Sequence, residues 1–120
     1  MLTLIGSGLT VLCQSLIAIL EMFFWMHPKV YPRLFFDEET ARKVAPIVRN
    51  VGLYNAFLAA GLIWGLLYRN DLLMFSLACV AIAGIFGAVT LKTRSPFPMT
   101  LLIQTLPAAI GLAGLWKLFG

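Results

Sequence analysis

Charge is scarce in this sequence, because only 12% of its 120 residues are Asp, Glu, Lys or Arg while 61% are hydrophobic. A soluble domain with this balance would have too little polar surface to cover itself. The composition is instead that of a protein whose solvent is lipid. A helix needs about 20 mostly apolar residues to cross a bilayer. Runs of that kind lie at residues 4–25, 51–68, 72–91 and 99–115.

The sequence also lacks the residues of common metal and nucleophile sites. His27 is its single histidine and no ExxH or HExxH pair occurs, so a metal site of the kind built in helical bundles has no ligands. Cys13 and Cys79 lie in separate predicted helices rather than in a CxxC pair, which indicates packed free thiols. There is no phosphate-binding glycine loop. We therefore expect neither a metal nor a cofactor.

What is present predicts an all-α fold, a four-helix transmembrane bundle forming one integral membrane domain over residues 1–120. The first apolar run has no basic residue ahead of it and no small-residue cleavage site after it, so we interpret it as a retained helix rather than a signal peptide. The connections at residues 69–71 and 92–98 are short. Helices joined by such turns must be antiparallel neighbours.

Residues 26–49 form the one sizeable connection. Asp37 is a plausible N-cap, and Glu38 and Glu39 suit the first turn of a helix because they complement its dipole. We therefore predict a short amphipathic helix on the cytoplasmic surface that runs into the second span. Pro46 is expected to kink that junction.

The basic residues indicate orientation rather than nucleic-acid binding. They lie in short loops at helix ends instead of on one patch with interleaved aromatics, so we expect no nucleic-acid partner. Only Arg69 and Lys117 lie on the side of the termini. By the positive-inside rule, both termini face outward from a bacterial inner membrane. The basic residues of the two predicted cytoplasmic loops are Lys29, Arg33, Arg42, Lys43, Arg49, Lys92 and Arg94.

Polar residues inside the spans recur at one depth. Ser7, Thr10, Gln14 and Glu21 follow spacings of three, four and seven, which puts them on one stripe of the first helix facing the other helices. Counting inward from the cytoplasmic helix ends places five side chains in one layer, with His27 and Asn50 at its rim. These five are Glu21, Tyr54, Asn55, Thr90 and Gln104.

Glu21 is the only acidic residue inside a predicted span. Intramembrane carboxyls are costly and by default functional, and desolvation disfavours their charged form, so proton exchange at Glu21 is a hypothesis. The alternative is structural. Glu21 would then pair with Arg49 or reach water, Tyr54 and Trp25 would anchor the interface, and the amides would only join helices.

Several blocks of this sequence resemble a bacterial membrane family catalogued as domain of unknown function 1304, over nearly the whole chain. The Gly-Leu-Tyr-Asn stretch is the most specific part. The blocks are Glu21-Met22-Phe23 with Trp25, Asn50-Val51-Gly52-Leu53-Tyr54-Asn55, Phe57-Leu58-Ala59-Ala60-Gly61-Leu62, Ala83-Gly84-Ile85-Phe86-Gly87, and Gln104 with Pro107-Ala108.

The resemblance implies a four-helix membrane protein of about this length and no established activity. It also implies that certain positions are the family's recurring polar ones, namely Glu21, Asn50, Tyr54, Asn55 and Gln104. Two departures stand out, because a histidine commonly occupies the position of Gln14 and a glutamine that of Val51. If the family's chemistry needs that histidine, this chain would bind without catalysing.

Three functions compete. The first is binding or transport of a small amphiphilic or cationic compound at the polar layer, which is similar in outline to small multidrug transporters and would require a homodimer for transport. The second is an enzyme acting on a lipid-soluble substrate, such as an isomerase with Glu21 as base and Tyr54 or an amide as the polarising group. The third is a membrane scaffold that uses small-residue faces such as Gly61 and Gly65.

Overall fold

The computed structural model describes residues 1–119, which form four long helices and no strand. Each of the four is long and apolar enough to cross a bilayer. The prediction of an all-α, four-helix transmembrane architecture is thus confirmed. The helices are α1 (Leu2–Phe23), α2 (Glu38–Tyr68), α3 (Asn70–Thr90) and a fourth helix that includes a π-helical segment (Leu101–Thr105) followed by α4 (Leu106–Phe119).

The helices form a closed ring in which α1 and α3 each pack against both α2 and the fourth helix. Arg69 alone separates α2 from α3, so these two helices are antiparallel neighbours, as predicted. One end of the bundle brings together Met1, Asn70 and Lys117, and we call it the terminal end. The opposite end, formed by residues 24–37 and 91–98, is called the loop end.

The second helix is longer than a membrane requires. Its 31 residues span about 46 Å at 1.5 Å per residue, against a hydrocarbon core of about 30 Å. The predicted amphipathic segment forms the first turns of α2 itself, and the helix continues through Pro46. Proline removes a single backbone donor, and in this helix that loss does not end the hydrogen-bonded ladder.

The start of α2 is stabilised by local polar contacts. The Asp37 carboxylate accepts a hydrogen bond of 2.7 Å from the Thr40 backbone N–H, as an N-cap does, and this bond lowers the pKa of Asp37. Glu38 and Arg42 form an exposed ion pair one turn apart, at 2.8 Å. Exposed pairs of this kind add little stability, so they mark a solvated helix face rather than hold the fold.

The connection between α1 and α2 packs onto the start of α2. Trp25 is buried, and its indole N–H donates to the Ala41 carbonyl oxygen at 2.9 Å. The Phe36 ring meets the indole edge-on, with centroids 5.6 Å apart. An aromatic ring with a satisfied N–H can fill an interior position without leaving a polar group unpaired. The connection is therefore an ordered cap over this side of the loop end.

Arg94 ties the two connections of the loop end together. Its backbone N–H donates to the Arg33 carbonyl at 3.0 Å and its Nε donates to the Pro32 carbonyl at 2.8 Å. Its guanidinium also lies 4.6 Å from the centroid of the Phe35 ring. A planar guanidinium can make this combination of fixed hydrogen bonds and stacking, which an ammonium cannot.

At the terminal end, α1 and α4 approach until their backbones touch. A Cβ added to Gly6 would lie 2.7 Å from the Gly111 Cα and would also meet the Gly111 nitrogen. Small residues allow such contact, which is a main source of helix association in lipid. The buried apolar core lies next to this crossing and consists of Leu62, Leu73, Leu77, Val80, Ala108 and Leu115.

Gly6→Ala is therefore expected to destabilise the bundle by about 1–3 kcal/mol, because the new methyl group meets backbone that cannot turn aside. Gly8→Ala is the matched control, since a Cβ at Gly8 has nothing within 4 Å. Alanine there should be neutral or stabilising by up to about 1 kcal/mol. Thermal unfolding in mild detergent measures both, and equal stability of the two variants would contradict the close contact.

Candidate functional site

A chain of side-chain hydrogen bonds joins three helices. Gln104 Nε2 donates to Gln14 Oε1 at 3.2 Å, Gln14 Nε2 donates to Asn55 Oδ1 at 2.8 Å, and Asn55 Nδ2 donates to Glu21 Oε1 at 2.5 Å. We call Gln104, Gln14 and Asn55 the amide chain. All three bonds run in the direction of Glu21, whose carboxyl oxygen accepts the last of them.

The helical stripe predicted on α1 accounts for one side of this arrangement. Ser7, Thr10 and Gln14 are all buried, which confirms that the stripe faces the bundle, and Glu21 at its end is half-buried. Gly52 brings α2 close to it, since a Cβ there would lie 2.9 Å from the Glu21 Cβ. The contact between α1 and α2 thus places Asn55, about one turn further along α2, beside the stripe.

The π-helical segment positions Gln104. It lies just ahead of Pro107, which has no N–H to donate to the preceding turn, and a wider turn is one way for a helix to accommodate that loss. Two hydroxyls fasten this stretch to α3. Thr100 donates to the Gly84 carbonyl at 2.8 Å and Thr105 to the Ala81 carbonyl at 2.9 Å. Gln104 is left pointing inward and is 7% exposed.

Beside Glu21 the bundle opens into a cleft of about 550 Å³. It lies between α1, the start of the fourth helix and the two connections of the loop end, and most of its lining is apolar. Concave apolar sites with a few polar groups are the usual form of small-molecule sites. The lining residues are Ile17, Leu20, Glu21, Trp25, Val30, Arg33, Leu34, Thr93, Arg94, Ser95, Met99 and Ile103.

Glu21 has no cation partner among residues 1–119, where the ion pairs are Arg42 with Glu38, Lys43 with Glu39 and Arg69 with Asp71. Pairing with Arg49, one of the two structural alternatives, does not occur among residues 1–119. Contact of Glu21 with water, the other alternative, stays a prediction. One oxygen of Glu21 accepts from Asn55, and the described residues supply no donor to the other. The carboxyl group can therefore accept a hydrogen bond from, or neutralise, a molecule in the cleft.

The structure brings together Glu21, Asn55, Gln104 and Gln14, but it places the other candidates elsewhere. Tyr54 is 62% exposed on the outer face of α2. Thr90 is exposed and its hydroxyl donates to a carbonyl of its own helix, as does the amide of Asn50. His27 is exposed and accepts from the backbone N–H of Lys29. A binding role for any of these residues stays a prediction.

Arg33 and Arg94 line the cleft, although the sequence marked them only as indicators of orientation. Arg94 reaches a carbonyl 62 residues away, and no local spacing predicts a contact of that range. Among residues 1–119, no three His, Cys, Asp or Glu side chains come together to hold a metal ion.

Comparison with known proteins places this sequence in a family. The sequence profile of the family described as "Protein of unknown function (DUF1304)" matches residues 8–116. No curated protein and no solved structure matches the chain. The match covers the amide chain, Glu21 and every residue that lines the cleft, and it includes Gly111 of the α1–α4 crossing but not Gly6.

A double-mutant cycle tests the amide chain. Gln14→Leu and Gln104→Leu should each destabilise the bundle, and together should cost less than their sum, since either one alone breaks their shared bond. Interhelical hydrogen bonds in lipid average about 0.6 kcal/mol and reach about 1.7 kcal/mol, so a coupling in that range is expected. Denaturation in mixed micelles measures it.

Thr10→Val is the matched control for Gln14→Leu, because Thr10 is buried on the same helix but donates to the Gly6 carbonyl within α1. Thr10→Val combined with Gln104→Leu should be additive. A coupling as large as that of the Gln14 pair would mean that general repacking, rather than the hydrogen bond, is being measured.

Proposed function

The chain belongs to the DUF1304 family, and on that premise we propose that it binds a small amphiphilic compound in the cleft, in the bacterial inner membrane. Glu21 accepts the compound's cationic group and the apolar lining takes its hydrocarbon part. The observation that carries this proposal is a carboxyl group in an apolar cleft with no cation partner among residues 1–119.

A carboxyl group at such a place is unfavourable without a partner. Removing a charge from water costs several kcal/mol unless a counter-charge and hydrogen bonds replace the water. Asn55 satisfies one oxygen of Glu21 and leaves the rest of the group toward the cleft. A protonated amine or quaternary ammonium group in the cleft would supply the missing counter-charge. Binding of such a ligand would therefore stabilise the Glu21 carboxylate.

The amide chain acts as a positioning device in this proposal. Carboxamides do not change protonation near neutral pH, so Gln14 and Asn55 can hold Glu21 in place but cannot carry a proton to or from it. Preorganised contacts of this kind raise affinity, since less freedom is lost when the ligand binds.

Two further features favour binding over the alternatives. An isomerase needs an enclosed site, whereas the cleft opens between two helices, and Tyr54, one of the two polarising groups considered, lies exposed on α2. A scaffold with no pocket needs no cleft and no unpaired carboxyl group. Transport remains part of the proposal and would use two copies of the chain, because four short helices enclose little space.

The ligand itself gives the first test. Native mass spectrometry of the protein released from mild detergent should detect a retained small molecule in the wild type and not in Glu21→Gln, because the amide loses the charge that attracts the cation. Glu39→Gln is the control, since Glu39 forms an exposed i,i+4 pair with Lys43 and lies outside the cleft. Retention should be unchanged in that variant.

The outcome that contradicts the proposal is equal retention in the wild type and Glu21→Gln, or an empty wild type that also fails to bind added amphiphilic amines. The same spectra count subunits. A dimer would favour transport, and a monomer that retains the ligand would favour a binding protein.

Orientation is proposed from the basic residues at the loop end, which we place in the cytoplasm with both termini outside. In a background with both native cysteines replaced by alanine, a membrane-impermeant maleimide applied to intact spheroplasts should label Asn70→Cys and not Thr40→Cys. Both positions are exposed, at opposite ends of the bundle. The reverse labelling pattern would invert the assignment.

A further inference from the structure

The cleft carries charge of both signs. Besides Glu21 on α1, its lining includes the guanidinium groups of Arg33 and Arg94 from the loop end. Neither arginine forms an ion pair with Glu21. Because these opposite charges line one concave surface without pairing with each other, both the carboxyl group and the guanidinium groups can contact a molecule bound between them.

The two arginines are not equivalent. Arg94 is committed to the fold through its bond to the Pro32 carbonyl and its position over the Phe35 ring. The Arg33 side chain is exposed and makes no hydrogen bond or ion pair with the described residues. Its backbone is nevertheless held, because its carbonyl accepts from the Arg94 N–H at 3.0 Å. The Arg33 backbone is therefore held in place, while its guanidinium group is available to a ligand.

The shape of the seam between α1 and the fourth helix indicates how a ligand enters. The two helices touch at Gly6 and Gly111, whereas further along they form two walls of the cleft. The apolar side chains on those walls are Ile17 and Leu20 from one helix and Met99 and Ile103 from the other. A hydrocarbon chain can lie between them from the lipid side, with its head group at the loop end.

We propose that the ligand is a zwitterionic amphiphile whose cationic group binds Glu21 and whose anionic group binds Arg33. This rests on the proposed function and adds the second pole of the ligand. A purely cationic amphiphile would leave Arg33 as an unpaired repulsive charge, and a purely anionic one would do the same with Glu21. A zwitterion pairs with both, and guanidinium groups bind carboxylate and phosphate groups through two parallel hydrogen bonds.

The test compares three probes with one hydrocarbon tail: N-dodecyl-N,N-dimethylglycine (zwitterionic, with the ammonium next to the tail and the carboxylate outermost), dodecyltrimethylammonium (cationic) and dodecyl phosphate (anionic). Binding is titrated in micelles of the neutral detergent dodecyl maltoside. The reporter is the fluorescence of Trp25, which lines the cleft. Trp64→Phe and Trp116→Phe remove the other two indoles, both of which are exposed.

We expect the zwitterion to bind most tightly. Arg33→Gln should weaken the binding of N-dodecyl-N,N-dimethylglycine about tenfold, the loss of one charge-assisted contact, and should not weaken that of dodecyltrimethylammonium. Glu21→Gln should weaken both of these probes and not dodecyl phosphate. Arg42→Gln, a control at the same end whose side chain pairs with Glu38, should change none of the three. Since the Arg33 side chain makes no hydrogen bond or ion pair with the described residues, its replacement should leave the far-ultraviolet circular dichroism unchanged.

Two outcomes separate this inference from the proposed function. If Glu21→Gln weakens the cation while Arg33→Gln leaves the zwitterion unchanged, the zwitterion proposal is overturned and the binding of cations at Glu21 stands. If Glu21→Gln alters none of the three probes, both are overturned. Preference of the wild type for dodecyl phosphate would also overturn the inference.

Discussion

The side chain of Gln14 is the contact on which this arrangement depends. Lipid gives helices no hydrophobic reason to associate, so small-residue packing and interhelical hydrogen bonds must hold them. Gln14 is 1% exposed and bonds to both Gln104 and Asn55, which join the fourth helix, α1 and α2 at one level. Asn55 in turn holds Glu21. The Gln14 amide, about 10 Å from Glu21 along α1, thus helps to position the Glu21 carboxyl group through Asn55.

Gln14 also lies between two parts of the molecule that differ in how closely α1 packs against the fourth helix. Toward the terminal end, α1 and α4 meet at Gly6 and Gly111, and no space is left between them. Toward the loop end, larger side chains separate α1 from the fourth helix, and the cleft begins. The ordered cap around Trp25 and the Arg94 clamp fix the walls on that side. One pair of helices therefore provides both a close backbone crossing and a wall on each side of the cleft.

The sequence predicts the four helices, their short turns and the inward stripe of α1, because composition and helical period carry that information. Depth along each helix was enough to associate Glu21, Asn55 and Gln104. It could not exclude Tyr54, since consecutive helical residues point about 100° apart and only one of Tyr54 and Asn55 can face α1. The roles of Arg33 and Arg94 depend on contacts between distant loops, which no periodic pattern records.

The identity of residue 14 bears on which chemistry this chain can support. The family resemblance implies a histidine there in many members, and a neutral imidazole offers one donor and one acceptor. Gln14 uses one of each, accepting from Gln104 and donating to Asn55, so it can preserve the direction of the chain toward Glu21. It differs in one property, because an imidazole can take up a proton near neutral pH and a carboxamide cannot. With glutamine at this position the amide chain orients Glu21 and cannot relay a proton to it, which agrees with the proposed role of Glu21 as a counter-charge for a bound cation.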